Sequence, residues 1–157
     1  MRLLIKQRVF SWSDTYDVYN QYGEARYYVK AELFSFGHQI HVYDKRSGRE
    51  VGSIHQKLLT ILPKFEIVID GIPSGEIRRD FTFFKPRYRV DFCNWEVEGD
   101  MLGWDYRAFH EGQQVLTVTK ELFRWGDTYV LEFSNAGDEI PALLLSIAID
   151  AANCGHD

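Results

Sequence analysis

The fold is decided by residues 138–152, which read DEIPALLLSIAIDAA. Apolar residues occupy almost every position from Ile140 onward, without the polar stripe that a surface helix carries. Asp138 can cap the first turn, and Pro141 falls where a missing N–H costs little. The apolar run from Ile140 to Ile149 is about half of the roughly 20 residues needed to span a bilayer. We therefore predict a helix that is buried on all sides by the rest of the domain.

The chain before this helix alternates between apolar and polar residues with a period of two, which is typical of strands with one buried face. The pattern is clear in residues 26–33 (RYYVKAEL), 64–70 (KFEIVID) and 87–92 (RYRVDF). We expect turns at 44–48 (DKRSG), 70–75 (DGIPSG), 98–100 (EGD) and 111–112 (EG), and a bulge or turn near Cys93 and Asn94. Many short strands joined by tight turns predict a meander that forms a sandwich or a barrel. The helix that must be buried on all sides favours a closed β-sheet around it.

Length and composition indicate one globular domain over residues 1–157. Hydrophobic residues make up 45% of the chain, and the net charge of −5 argues against broad nucleic-acid binding. The two cysteines, Cys93 and Cys154, cannot form a disulfide framework, and the N-terminal residues lack the apolar core of a signal peptide. We expect a cytoplasmic protein that has no transmembrane segment and no nucleic-acid partner. Such a protein can still lie at the periphery of a membrane.

One short motif occurs twice. Residues 10–16 (FSWSDTY) recur as residues 123–129 (FRWGDTY), with five of seven positions identical. One interpretation is structural: the sheet uses the same corner twice, with the Asp fixing a turn and the aromatic residues covering the adjacent surface. The other interpretation is a duplicated ligand site.

These segments together resemble the LURP-one-related family. The resemblance lies in residues 88–90 (YRV), 95–100 (WEVEGD), 105–106 (DY) and 123–129, and in the helix that ends Ala148-Ile149-Asp150. It covers nearly the whole chain, from Ile5 to the final helix. The family is grouped with the Tubby C-terminal domains and the phospholipid scramblases.

The resemblance implies a mostly β protein of Tubby C-terminal-like fold. Such a fold is a closed antiparallel barrel of about twelve strands that encloses the hydrophobic C-terminal helix, which agrees with the sequence patterns. The resemblance does not imply an enzyme. Tubby domains bind phosphoinositide headgroups, scramblases are associated with lipid redistribution, and plant members of the family are linked to defence. No Tubby headgroup site can be aligned residue by residue with this chain, so none is carried over.

The best candidate site is basic. Within twelve residues the chain places Arg78, Arg79, Lys85, Arg87 and Arg89, interleaved with aromatic residues. Guanidinium groups bind oxyanions in bidentate fashion, and anionic lipid surfaces attract basic residues by about 1 kcal/mol each. We take these five residues as candidate ligands for an anion such as a phospholipid headgroup. The alternative is a solvated strand face that is paired with nearby acids.

Other chemistry is not indicated by the sequence. The histidines do not have the spacing of a metal site, and there is no nucleophile elbow, phosphate-binding loop or dinucleotide motif. We expect no catalytic residues, no metal and no cofactor. The favoured hypothesis is a non-enzymatic module that binds an anionic ligand, and the alternative is a protein-interaction or scaffold domain without a lipid ligand. A third hypothesis is an enzyme whose cleft is assembled from dispersed residues.

Overall fold

The computed structural model describes residues 1–6, 15–34, 37–58, 64–80, 87–123 and 126–154. These ranges contain twelve antiparallel strands, a short 3₁₀ turn (Ala136–Asp138) and a long helix, α1 (Glu139–Cys154). The strands are β1 (Arg2–Lys6), β2 (Thr15–Asn20), β3 (Ala25–Phe34), β4 (Gly37–Asp44), β5 (Glu50–Gln56), β6 (Lys64–Ile69), β7 (Ile72–Asp80), β8 (Arg87–Phe92), β9 (Trp95–Asp100), β10 (Asp105–His110), β11 (Gln113–Phe123) and β12 (Gly126–Glu132).

The strands form one sheet in the order β8-β7-β6-β5-β4-β3-β2-β1-β12-β11-β10-β9. Consecutive strands pair with each other, except β8 with β9, and β1 also pairs with β12. The sheet curls into a nearly closed barrel, so its two edge strands are β8 and β9, which are consecutive in the chain. We call the gap between them the β8–β9 seam. The predicted barrel of about twelve strands around the C-terminal helix is confirmed, with this one interruption.

The core is built from the inward faces of the strands and from the helix. The residues that the period of two places on the inward face of β3, such as Tyr27 and Val29, are buried, as are Phe65 and Ile67 on β6. In α1, residues 142–152 are all buried. The absence of a polar stripe in this helix therefore reflects its position inside the barrel.

The two ends of the barrel differ. Two-residue turns with positive φ at both residues occupy one end, at 70–71, 93–94 and 111–112, and this geometry belongs to type I′ hairpin turns. We call this the tight-turn end. At the opposite end, β7 stops at Asp80, β8 starts at Arg87 and α1 finishes at Cys154. We call this the loop end.

The predicted turn at residues 98–100 is wrong. These residues belong to β9, and the turn follows at 101–104. Gly99 lies in the ladder opposite Tyr106 with a φ of 116°, and a Cβ atom there would lie only 2.6 Å from the carbonyl oxygen of Asp105. This glycine therefore permits a close approach of two strands, which sequence alone does not distinguish from a turn.

The repeated motif lies partly outside the described residues, since 10–14 and 124–125 are not among them. The described parts place Tyr16 on β2 and Tyr129 on β12, which are the two strands that flank β1. Tyr129 is buried and stacks on Trp104 with 4.0 Å between ring centroids. The two copies thus lead into strands at equivalent positions beside β1.

Candidate functional site

Three basic residues lie in one row across the outer face of the barrel, close to the loop end. The ladders place Lys64 on β6 opposite Arg78 on β7, and Arg78 opposite Arg89 on β8. Arg78 and Arg89 are exposed, and Lys64 is partly exposed. We call these three residues the basic row. Because like charges directly opposite one another destabilise a sheet, this arrangement is not explained by strand pairing alone.

A row of acids lies behind the basic row, farther from the loop end. It consists of Glu66, Glu76 and Asp91, which are also opposite one another in the ladders. Glu76 accepts from Lys64 Nζ at 2.8 Å and contacts Arg78 Nη2 at 3.2 Å. The hydrogen bond from Lys64 is the main reason that the pKa of Glu76 is lowered. The side chain of Glu76 therefore contacts two cations, and the charges of this surface separate into a basic row towards the loop end and an acidic row behind it.

Arg79 does not belong to this surface. Its Nη1 donates to the carbonyl oxygens of Ala152 at 3.3 Å and Asn153 at 3.4 Å, at the C-terminal end of α1. Its guanidinium carbon lies 6.0 Å from the ring centroid of Tyr88. A cation at this end of a helix satisfies carbonyl groups that have no partner within the helix. Arg79 thus fastens the enclosed helix to the barrel wall.

The remaining predicted residues are only partly described. Lys85 lies outside the described residues, and for Arg87 the structure describes the backbone, which is opposite Asp80 in the ladder. Of the five predicted residues, the structure brings Arg78 and Arg89 together on the outer face. It adds Lys64, which sequence reasoning missed because its position depends on the register between β6 and β7.

Exposed leucines occupy the same end of the barrel. Leu58 lies two residues after the end of β5, Leu102 lies in the turn after β9, and Leu122 lies near the end of β11. Their exposed fractions are 47%, 49% and 84%, respectively. The tight-turn end also exposes three large hydrophobic residues, Met1, Tyr22 and Ile72, so the leucines are of interest because they share an end with the basic row. We call the basic row and these three leucines the loop-end face.

The family of the protein follows from comparison with known proteins. The family model described as LURP-one-related matches residues 1–150. The chain belongs to the LURP-one-related family. The uncharacterized protein YxjI of Bacillus subtilis (strain 168) is 32% identical over 152 residues, which is 96% of this chain and 92% of that protein. An X-ray structure of a protein from Arabidopsis thaliana matches with a TM-score of 0.61 at 16% identity, covering 96% of this chain and 90% of that chain. This structural similarity concerns the fold.

A second polar cluster of this LURP-one-related protein lies on the outer face of β4 and β5. His41 Nδ1 lies 2.6 Å from Glu50 Oε1, and His55 Nε2 lies 2.8 Å from Ser53 Oγ. Burial is the main reason that the pKa of His55 is lowered. Within the described ranges, no group of three or more His, Cys, Asp or Glu side chains could hold a metal ion.

A shallow groove of about 510 Å³ lies on β3 and β4 beside this cluster, between Tyr28 and Tyr43. Two lysines line it, but each already has an acidic partner: Lys45 contacts Asp17 at 3.0 Å, and Lys30 contacts Glu32 at 2.7 Å. The groove therefore offers aromatic surface with its charges already neutralised.

Among the helices of the described part, none has the length and apolar character needed to cross a bilayer.

Proposed function

We propose that this LURP-one-related protein is a cytoplasmic, non-enzymatic binding module that docks on anionic membrane surfaces with its loop-end face. The observation that carries the proposal is the coincidence, at one end of the barrel, of three basic residues in a row and three exposed leucines. The resemblance to Tubby C-terminal domains, which bind phosphoinositide headgroups, motivates the same class of ligand. A phospholipid headgroup would accept hydrogen bonds from Arg78 and Arg89, which are cross-strand neighbours.

The electrostatic contribution is modest and depends on orientation. Basic residues close to an anionic surface contribute about 1 kcal/mol each, so the three residues of the basic row contribute at most about 3 kcal/mol at low ionic strength. The contribution is smaller to the extent that Glu76 neutralises Lys64 and Arg78. This attraction falls off over a Debye length of about 10 Å at 0.1 M salt. Since the whole chain carries a net charge of −5, a favourable orientation must present basic residues to the surface. Exposed basic residues also lie at the tight-turn end, at Lys45, Arg46 and Arg49, and the control variant described below distinguishes the two ends.

The leucines add a contribution that does not depend on charge. Complete burial of one leucine side chain stabilises by roughly 1.5–3 kcal/mol, and insertion of a half-exposed leucine into the headgroup region contributes part of this. Charge and apolar contact together therefore support reversible association, in the same way that peripheral proteins combine a basic patch with an apolar anchor.

Flotation with vesicles tests the basic row. The protein is mixed with phosphatidylcholine vesicles, or with vesicles that also contain phosphatidylglycerol, at low and at high salt. We expect flotation with the anionic vesicles only, weakened by salt, and lost in the double variant Arg78→Glu, Arg89→Glu. The matched control is Arg46→Glu, Arg49→Glu, which makes the same charge change on exposed residues at the tight-turn end and should still float.

The leucines are tested in the same assay. Leu102→Ser with Leu122→Ser should weaken flotation, whereas Tyr22→Ser with Ile72→Ser, at exposed positions of the tight-turn end, should not. Inorganic phosphate in the assay separates the two sources of an anion. If it abolishes flotation at constant ionic strength, free phosphate outcompetes the membrane surface for the basic row, and a soluble phosphate compound replaces the membrane as the proposed ligand. Absence of flotation at low salt by folded protein would overturn the proposal and leave a protein-interaction domain.

A further inference from the structure

The β8–β9 seam is an unusual interruption in an otherwise continuous sheet. The two strands leave the same turn at Cys93 and Asn94, yet no ladder joins them in the described part of the chain. Inward-facing side chains along the seam are only partly buried, although they pack against the core. These residues are Tyr88, Val90, Val97 and Met101. Among the described residues, neither strand therefore has a neighbouring strand along the seam, and core side chains beside the seam are partly exposed.

The inward faces of β8 and β9 would match if the strands paired. A two-residue turn sets Phe92 opposite Trp95, and each step back along β8 is then matched by one step forward along β9. Phe92 and Trp95 already touch edge to face, with 6.0 Å between ring centroids. The next inward pairs in this register are Val90 with Val97 and Tyr88 with Gly99. An aromatic ring opposite a glycine is a favourable cross-strand pair.

The outward faces match as well, with one exception. The same register sets Arg89 opposite Glu98, and it sets Arg87 opposite Asp100. Opposite charges at such positions stabilise a sheet, and only the pair of Asp91 with Glu96, next to the turn, is like-charged. Pairing of β9 with its own copy in a second molecule would instead oppose acids to acids, because its outward residues are Glu96, Glu98 and Asp100. The pattern therefore favours β8 with β9 of the same chain, whose turn also keeps them at high effective concentration.

The side chain of Asn153 contacts both sides of the seam at the loop end. Tyr88 Oη donates to Asn153 Oδ1, and Asn153 Nδ2 donates to the carbonyl oxygen of Met101 at 3.0 Å. Tyr88 lies near the start of β8, and Met101 directly follows β9. Asn153, in the last turn of α1, thus bridges the two edge strands at the loop end.

We propose that the β8–β9 seam is a gate, which closes when β8 and β9 pair as a hairpin and which Asn153 holds open. The hinge is the turn at Cys93 and Asn94. Closure completes the barrel and shields the partly buried residues of the seam. It also brings Glu98 beside Arg89, which lowers the positive charge of the basic row. An anionic surface therefore favours the open gate. This last step rests on the proposed function, whereas the gate itself does not.

Disulfide trapping tests the gate without any ligand. The variant Arg89→Cys, Glu98→Cys is made in a background of Cys93→Ser and Cys154→Ser. In the closed hairpin these two residues form a non-hydrogen-bonded pair with Cα atoms about 4.5 Å apart, which a disulfide can bridge. The control pair is Arg78→Cys with Glu98→Cys, since β7 is one strand farther from β9.

We expect mild oxidation to cross-link the test pair and not the control pair, and Asn153→Ala to accelerate the cross-linking several-fold. Absence of a cross-link in folded protein, or a rate that Asn153→Ala leaves unchanged, would overturn the gate. Hydrogen exchange gives a second measurement on proteins that keep their cysteines. Asn153→Ala should slow the exchange of the seam-facing amides of β8 and β9, and unchanged or faster exchange would contradict the gate.

The coupling to the membrane is tested separately, on the wild-type protein. Anionic vesicles that bind the protein should accelerate exchange of the seam-facing amides, and phosphatidylcholine vesicles should not. If the protein floats with anionic vesicles but this exchange is unchanged, the coupling is wrong. If the protein does not float at all, the proposed function fails, and the cross-linking result alone decides whether the gate exists.

Discussion

The contact between Gly52 on β5 and Leu144 on α1 provides a strict test of the enclosed helix. A Cβ atom at Gly52 would lie 2.5 Å from Leu144 Cδ1, and 3.0 Å from both Leu144 Cδ2 and the carbonyl oxygen of Val68. Leu144 is fully buried. Gly52→Ala therefore forces the helix and the barrel wall apart, and we expect a loss of about 1–3 kcal/mol in the free energy of unfolding.

The second half of this prediction concerns the double variant. Leu144→Ala alone should cost about 2–5 kcal/mol, because it leaves a cavity in the core. In that background, the clash of the Gly52→Ala methyl group with Leu144 disappears and only the 3.0 Å approach to the carbonyl oxygen of Val68 remains, so the cost of Gly52→Ala should be much smaller. The lower entropy of the unfolded chain even favours alanine over glycine by about 0.4–1 kcal/mol. The double variant should therefore lose roughly 1–3 kcal/mol less stability than the sum of the losses in the two single variants.

Urea denaturation followed by tryptophan fluorescence measures all four stabilities. Gly137→Ala is the control, because a Cβ there meets no atom closer than 3.4 Å and should change the stability little. The reasoning is refuted if Gly52→Ala is as stable as the wild type, or if the costs of Gly52→Ala and Leu144→Ala are additive.

Three further predictions follow from single side chains. Leu144→Asp should prevent folding, since it buries an unpaired charge, and a soluble variant with an unchanged melting temperature would contradict the enclosed helix. Hydrogen bonds from the Ser47 amide, and then from Arg26, hold the pKa of Asp44 at about 2. Because folding lowers this pKa, the ionised carboxylate stabilises the folded protein above the unfolded pKa near 3.8, and this stabilisation is lost as the pH falls towards 2. Asp44→Asn should therefore flatten the dependence of the melting temperature on pH between these two values. Arg79→Met should lower the free energy of unfolding by about 1.5–3 kcal/mol, because the carbonyl groups at the end of α1 lose their hydrogen-bond donor. The folded variant should still float like the wild type. Loss of flotation by the folded variant would mean that Arg79 belongs to the binding surface.

Local patterns were sufficient to predict the architecture. The period of two placed Tyr27, Val29 and Phe65 on inward faces, and the uniformly apolar helix required a sheet around it. Both features depend only on short-range sequence, because neighbouring side chains of a strand alternate and a helix without a polar stripe has no face for solvent. The resemblance then specified the number of strands.

The candidate site was only partly predictable, because it depends on register and on contacts between distant segments. Arg79 lies two residues after the buried Ile77 on β7, so the period of two already indicated that its side chain points inward. Its hydrogen-bond acceptors could not be predicted, because these carbonyl groups lie more than seventy residues away in the chain. Lys64 joins the basic row only through the pairing of β6 with β7. The exposure of Leu122 likewise follows from the position of its strand end, and no local pattern distinguishes it from a core leucine.

The most direct test of docking through the loop-end face is the environment of a single fluorophore on each end of the barrel. An environment-sensitive probe is attached to Leu122→Cys, or to Tyr22→Cys at the tight-turn end, in a background of Cys93→Ser and Cys154→Ser. With anionic vesicles at low salt, we expect a blue shift and increased emission from the probe at position 122 alone. A shift at position 22, or no shift at either position while the protein floats, would contradict docking through this face.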